Sequence, residues 1–165
     1  MQRNKSKSIA LGGTLAAVAV VIMCLGGLVP IATYVCPMLC ALTQLLVLRF
    51  CGRRIGWTWF IVVSILSLLL SADKEAAMVF LAVGYYPLIK WYFEGNKLRV
   101  IWKFLYFNLS VILSYSIMIY LMGMQEVAME NMELGFLGLV LVLVMGNATF
   151  FLFDRLLTIM ARKLR

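Results

Sequence analysis

The chain has 165 residues, 64% of them hydrophobic, and its mean hydropathy is +1.00. A soluble domain is nearer half apolar, and a water-soluble fold of this length has too little interior to hide the surplus, so the solvent has to be lipid. The net charge of +8 does not point to nucleic acid, because the charges stand in short clusters between apolar runs and leave no basic face on a soluble body.

A spanning helix takes about 20 mostly apolar residues. Six such helices with short turns use nearly the whole length. The predicted fold is therefore all-α: a polytopic membrane helix bundle of six transmembrane helices forming a single integral membrane domain over 1–165. Helix 1 is expected over 9–28. Residues 1–8 resemble the basic start of a signal peptide, but the apolar run 9–29 exceeds the usual stretch of about 7–15 residues and no small-residue cleavage site closes it, so a retained helix is expected. Gly26, Gly27 and Pro30 mark a tight turn. Helix 2 follows over 31–50 and carries Pro37, which membrane helices tolerate when neighbours satisfy the freed carbonyl. Residues 51–56, with Gly52, Arg53, Arg54 and Gly56, read as a polar loop. Helix 3 over 57–71 is short, Asp73, Lys74 and Glu75 form a charged turn, and helix 4 covers 76–92. A mostly polar loop over 93–99 leads to helix 5 over 101–122. An acidic loop with Glu126, Glu130 and Glu133 precedes helix 6 over 134–160.

Charge sets the expected orientation. If both termini face the cytoplasm, every basic residue except Lys74 falls on the inner side, and Asp73, Glu75, Glu126, Glu130 and Glu133 fall on the outer side. The positive-inside rule favours that arrangement, N-in and C-in, in a cell membrane. Trp57, Trp59, Tyr92 and Trp102 sit at expected inner ends, where amphipathic rings favour the interface.

Several residue groups are candidates for chemistry. Asp73 and Glu75 form either a polar outer site that meets a solute or a solvated cap on helix 4. Asn108, Ser114 and Asn147 lie inside apolar spans, either gluing helices together or lining a cavity. An ion in hydrocarbon costs roughly 3 kcal/mol on insertion scales, so Asp154 needs a cation. Lys90 is expected to pair with it, with Arg155 or a basic loop residue as alternatives. In the segment Gly84-Tyr85-Tyr86-Pro87, Pro87 removes a backbone donor and can kink helix 4. Gly12 with Ala16, and Gly13 with Ala17, make a small-residue face on helix 1 that suits close approach of another helix, internal or from a second subunit. Cys24, Cys36, Cys40 and Cys51 lack zinc-site spacing and the chain has no His, so no metal and no cofactor are expected. There is no phosphate-binding Gly-rich loop with Lys-Ser/Thr and no nucleophile elbow, and the acids are few and peripheral, so the chain is not expected to be an enzyme.

Six short helices, both termini inside, a small-residue first helix and no energy-coupling motif together resemble the S component of energy-coupling factor transporters, the substrate-binding membrane subunit. In that family an Ala-x-x-x-Ala face on helix 1 docks a coupling subunit; here Gly12/Ala16 and Gly13/Ala17 stand in its place. The stretch 73–90 is also similar to small uncharacterised membrane proteins of Gram-positive bacteria. The resemblance implies capture of a small solute such as a vitamin from outside. It also implies partnership with a coupling membrane subunit and two ATPases. Asp73, Glu75, Asn108, Ser114 and Asn147 would then line the solute site. The competing expectation is a non-transporting structural or regulatory membrane protein, in which these polar residues serve packing alone.

Overall fold

The computed structural model describes residues 2–26, 32–95, 98–120, 123 and 135–163. Seven α-helices account for nearly all of them, and no strand occurs among the described residues. They are α1 (Gln2–Gly26), α2 (Ala32–Cys51), α3 (Arg53–Leu70), α4 (Lys74–Val83), α5 (Tyr86–Glu94), α6 (Arg99–Tyr120) and α7 (Gly135–Lys163). With α4 and α5 taken together as Lys74–Glu94, six helical segments are long and apolar enough to cross a membrane, and the fold is the expected polytopic bundle. Gly27 and Pro30 of the first turn, the acidic loop with Glu126, Glu130 and Glu133, and the expected helix ends at 28, 31, 122 and 134 lie outside the described residues.

Helix ends run beyond the expected spans, from Gln2 instead of 9 in α1, from Arg99 instead of 101 in α6 and to Lys163 instead of 160 in α7, because polar residues at the rim continue the helices. Two further departures change the packing. Residues 51–56 do not form a loop. Gly52 alone separates α2 from α3, with φ at 87°, a conformation that costs glycine little and other residues more. One such residue turns the chain, so Arg53 and Arg54 begin α3 instead of belonging to a connection. Gly56 then lies inside α3, where a Cβ would come within 3.0 Å of Leu48 and 3.2 Å of Leu88. Its missing side chain lets α2, α3 and α5 meet closely. The 18 residues of α3 make it about 27 Å long at the usual rise of roughly 1.5 Å per residue, enough to cross a bilayer core.

The second departure is in the fourth span, which is two helices and not one. The break falls at Gly84 and Tyr85, and Pro87 stands in the first turn of α5. Pro87 has no N–H to offer the preceding turn, and the backbone resumes with Leu88 N–H donating to the Tyr85 carbonyl at 3.0 Å. Two residues before the break, the Tyr106 hydroxyl of α6 donates to the Ala82 carbonyl at 2.9 Å. A side chain from a neighbouring helix satisfying backbone at a break is how irregular chain survives at membrane depth. Gly84 is required here, because a Cβ would come within 2.5 Å of the Phe80 carbonyl and within 2.7 Å of its ring. In α2, by contrast, Pro37 leaves the helix unbroken.

The broken span is the most enclosed of the six, with 61% of its apolar stretch buried, while α6 lies at the rim with 6%. Two packed centres flank it. One joins Ala19 and Met23 of α1, Cys40 and Val47 of α2, Trp59 and Val63 of α3, and Ala77 and Phe80 of α4. The other joins Ala41, Ala82, Val83 and Tyr86 to Phe150, Phe153 and Leu157 of α7. Large apolar side chains elsewhere point outward, among them Ile65, Leu69, Leu109, Ile112 and Leu152. In water that display would invite aggregation; against lipid tails it costs nothing.

Candidate functional site

The chain carries polar groups at both ends of the bundle, and they behave differently. At the end holding Asp73, Lys74 and Glu75, the charges are largely engaged with backbone and hydroxyls. Asp73 caps α4 by accepting the Ala76 N–H at 2.9 Å, and its other carboxylate oxygen accepts the Thr33 hydroxyl at 2.7 Å. Lys74 donates to the carbonyls of Leu68 and Ser71 at 2.7 and 2.9 Å, closing the end of α3. Glu75 is placed otherwise: its carboxylate receives the Tyr34 hydroxyl from α2 at 3.1 Å and the Tyr115 hydroxyl from α6 at 3.5 Å. Three spans meet at that carboxylate.

At the opposite end, α5, α6 and α7 converge on Asp154. Tyr86 and Lys90 share one face of α5, four positions apart, and both point at α7. Tyr86 donates to Asp154 Oδ1 at 2.6 Å, and Lys90 pairs with the same oxygen. Lys103 of α6 donates to Oδ2 at 2.7 Å. Lys90 places its remaining protons on the Asp154 carbonyl at 2.7 Å and on Thr158 Oγ1 at 2.6 Å, so all three ammonium donors are used. Glu94, one turn further along α5, lies 3.6 Å from Lys90. Lys90 and Lys103 are only 7% and 6% exposed, and with Asp154 and Glu94 they form a group of zero net charge. An aromatic roof covers it: Tyr86 stacks on Tyr106 at 5.5 Å and meets Phe150 edge-on at 4.9 Å.

Beside this cluster lies a cleft of about 760 Å³. Lys90, Lys103 and Asp154 stand at its buried side. Arg99, Arg155 and Arg162, all exposed, stand at its mouth. A second cleft of about 440 Å³ adjoins it, sharing Pro87 and Trp91 and carrying Arg49 and Arg53.

The residues expected to line a solute site do not gather in one place. Asn108 and Asn147 form a two-way amide pair between α6 and α7, at 3.1 and 3.2 Å, and each also donates to a carbonyl four residues earlier in its own helix. They act as glue between those helices. Ser114 is half-buried on α6, next to Tyr115, and Asp73 and Glu75 are at the cap described above. The expected pair of Lys90 with Asp154 is present. Lys103, Tyr86 and Thr158 were not foreseen as its partners. The signal was available for Lys103, a second cation set among Val100, Ile101, Phe104 and Leu105, which calls for a buried counter-charge. The small-residue face of α1 divides in two. Gly12 is buried, and a Cβ there would come within 3.2 Å of Ile55; Ala16 packs beside it on the core. Gly13 faces open space, and Ala17 is exposed.

The described cysteines are all free, and no group of His, Cys, Asp and Glu among the described residues is arranged to hold a metal. Comparison with family models, with curated proteins and with solved structures returns no match.

Proposed function

We propose that this chain is the solute-capturing membrane subunit of an uptake transporter of the energy-coupling factor kind, resident in a cell membrane with both termini in the cytoplasm. The observation that carries the reading is the broken fourth span. A helix interrupted inside the bundle, tied at one end to hydroxyls through Glu75 and at the other to a buried ion cluster through Lys90, is the kind of element membrane carriers use around a bound solute. Glu75, where α2, α4 and α6 meet, is the group we assign to solute contact at the outer end. The free half of the small-residue face, Gly13 and Ala17, suits close approach of a coupling subunit.

Affinity purification in mild detergent tests the assembly. A second membrane subunit and two ATPases should accompany the chain, and Gly13→Leu should remove them while leaving the isolated protein's melting temperature unchanged. Recovery of the chain alone would overturn the transporter assignment. A thermal-shift screen with vitamins, nucleobases and amino acids should give a specific stabilisation that Glu75→Gln abolishes.

A second reading, a structural or regulatory membrane protein that carries nothing, is favoured by one observation: Asp73 and Lys74 are both engaged in capping helix ends. It predicts no partner ATPase and no ligand shift.

A further inference from the structure

We propose that the cleft between α5, α6 and α7 binds a phosphate-bearing anion, with an anionic phospholipid headgroup as the favoured source. The first ground is charge. The cleft is lined by Lys90, Arg99, Lys103, Arg155 and Arg162 against Glu94 and Asp154, so three positive charges are left over. Lys90 and Lys103 are satisfied by Asp154 and Glu94, so the surplus belongs to the three arginines at the mouth. Arg99, Arg155 and Arg162 have no carboxylate partner among the described residues. Guanidinium groups present paired N–H donors that match two oxygens of one phosphate.

The second ground is the wall. Val100 and Ile159 line the same cleft and are 57% and 46% exposed, and Phe151 and Leu157 continue the apolar side. A cleft that is cationic at its mouth and apolar on the flank fits an amphiphile, whose phosphate meets the arginines while its chains run along α6 and α7. Basic pockets between membrane helices recognise lipid headgroups by this combination. The volume of about 760 Å³ is that of a site for a small molecule. This inference does not rest on the transporter reading, because a protein that carries no solute can still hold a lipid.

The test uses the full chain reconstituted in phosphatidylcholine vesicles, with and without phosphatidylglycerol. Lipid retained after extraction is identified by native mass spectrometry. Phosphatidylglycerol should be retained in preference to phosphatidylcholine. The combined variant Arg99→Gln, Arg155→Gln, Arg162→Gln should lower that preference by roughly ten-fold or more, since each juxtamembrane cation contributes to anionic lipid binding. Should the triple variant fail to assemble, Arg155→Gln alone should lower it by roughly a few-fold. Arg54→Gln removes an exposed charge from the same rim outside the cleft and should change nothing. In a parallel arm, glycerol 3-phosphate is added to protein in pure phosphatidylcholine. A thermal shift that the triple variant abolishes, without any preference for phosphatidylglycerol, supports the phosphate site and assigns its ligand to the aqueous phase. A phosphatidylglycerol preference that the triple variant keeps, an equal loss of preference or thermal shift in Arg54→Gln, or no response to either phosphate source overturns the proposal. None of these outcomes depends on whether ATPases co-purify, so the two proposals fail separately.

Discussion

Asp154 holds one negative charge against two ammonium groups, and the three residues are unequal in consequence. Removing the carboxylate leaves Lys90 and Lys103 buried side by side, and stripping one partner from a buried ion cluster costs about 3–5 kcal/mol. Asp154→Asn is therefore expected to lower the melting temperature in detergent more than any other single change in the cluster. Lys103→Met should be milder, because Lys90 and Tyr86 still hold the carboxylate. Combining Asp154→Asn with Lys103→Met should recover part of the loss, since the second change removes one of the stranded cations; thermal melts of the two single variants and the double variant measure that coupling. Tyr86→Phe deletes one hydrogen bond to a charged oxygen, worth about 1.5–3 kcal/mol, and leaves the aromatic roof in place. The need for a cation beside Asp154 was legible from the residue alone, because a carboxylate within an apolar span demands one. Lys103 carried a signal of the same kind in its apolar neighbours, but nearby Arg99 and the adjoining loop made it read as one more inner-surface charge.

At the scale of the helices, glycines decide where chain direction changes. Gly84 is held against the carbonyl and ring of Phe80, so Gly84→Ala should destabilise the protein by about 1–3 kcal/mol, the usual range for overpacking. Gly13→Ala is the matched control: nothing lies within 4 Å of the added methyl, and alanine is favoured over glycine in a helix by about 0.8–1 kcal/mol. It should be neutral or stabilising, and paired thermal melts separate the two outcomes. Gly52→Ala forces a side chain into the left-handed region at φ 87° and should cost about 1–3 kcal/mol. These positions also explain what hydropathy alone conveys. Long apolar runs announce helices, so six spans could be read directly. Whether Gly-Arg-Arg is a loop or a one-residue hinge depends on a single dihedral, and whether Pro87 bends or breaks its helix depends on Gly84, Phe80 and Tyr106. Those are tertiary facts that no local pattern carries.

The whole molecule is polar in the electrical sense, with carboxylates and caps at one end and arginines around a cleft at the other. The positive-inside rule then predicts that a cysteine placed at exposed Ala72 is labelled by an impermeant thiol reagent from outside the cell, while one placed at exposed Arg54 is labelled only after the membrane is opened. Labelling of both from the same side would refute a fully crossing third helix. Membrane residence and span number were open to inspection because lipid solvent imposes them on composition. The solute candidates scattered for the opposite reason: depth and polarity locate a residue along the bilayer normal but not around the bundle, so Asn108 and Asn147 found each other while Glu75 found Tyr34 and Tyr115. The ion cluster also bears on biosynthesis. Asp154 emerges from the ribosome 51 residues after Lys103 and 64 after Lys90, so two ammonium groups are made with only Glu94 to answer them. Release of a nascent chain before α7 would leave Lys103 without its carboxylate and Lys90 with Glu94 alone, a mark by which membrane proteases can tell an unfinished copy from a finished one.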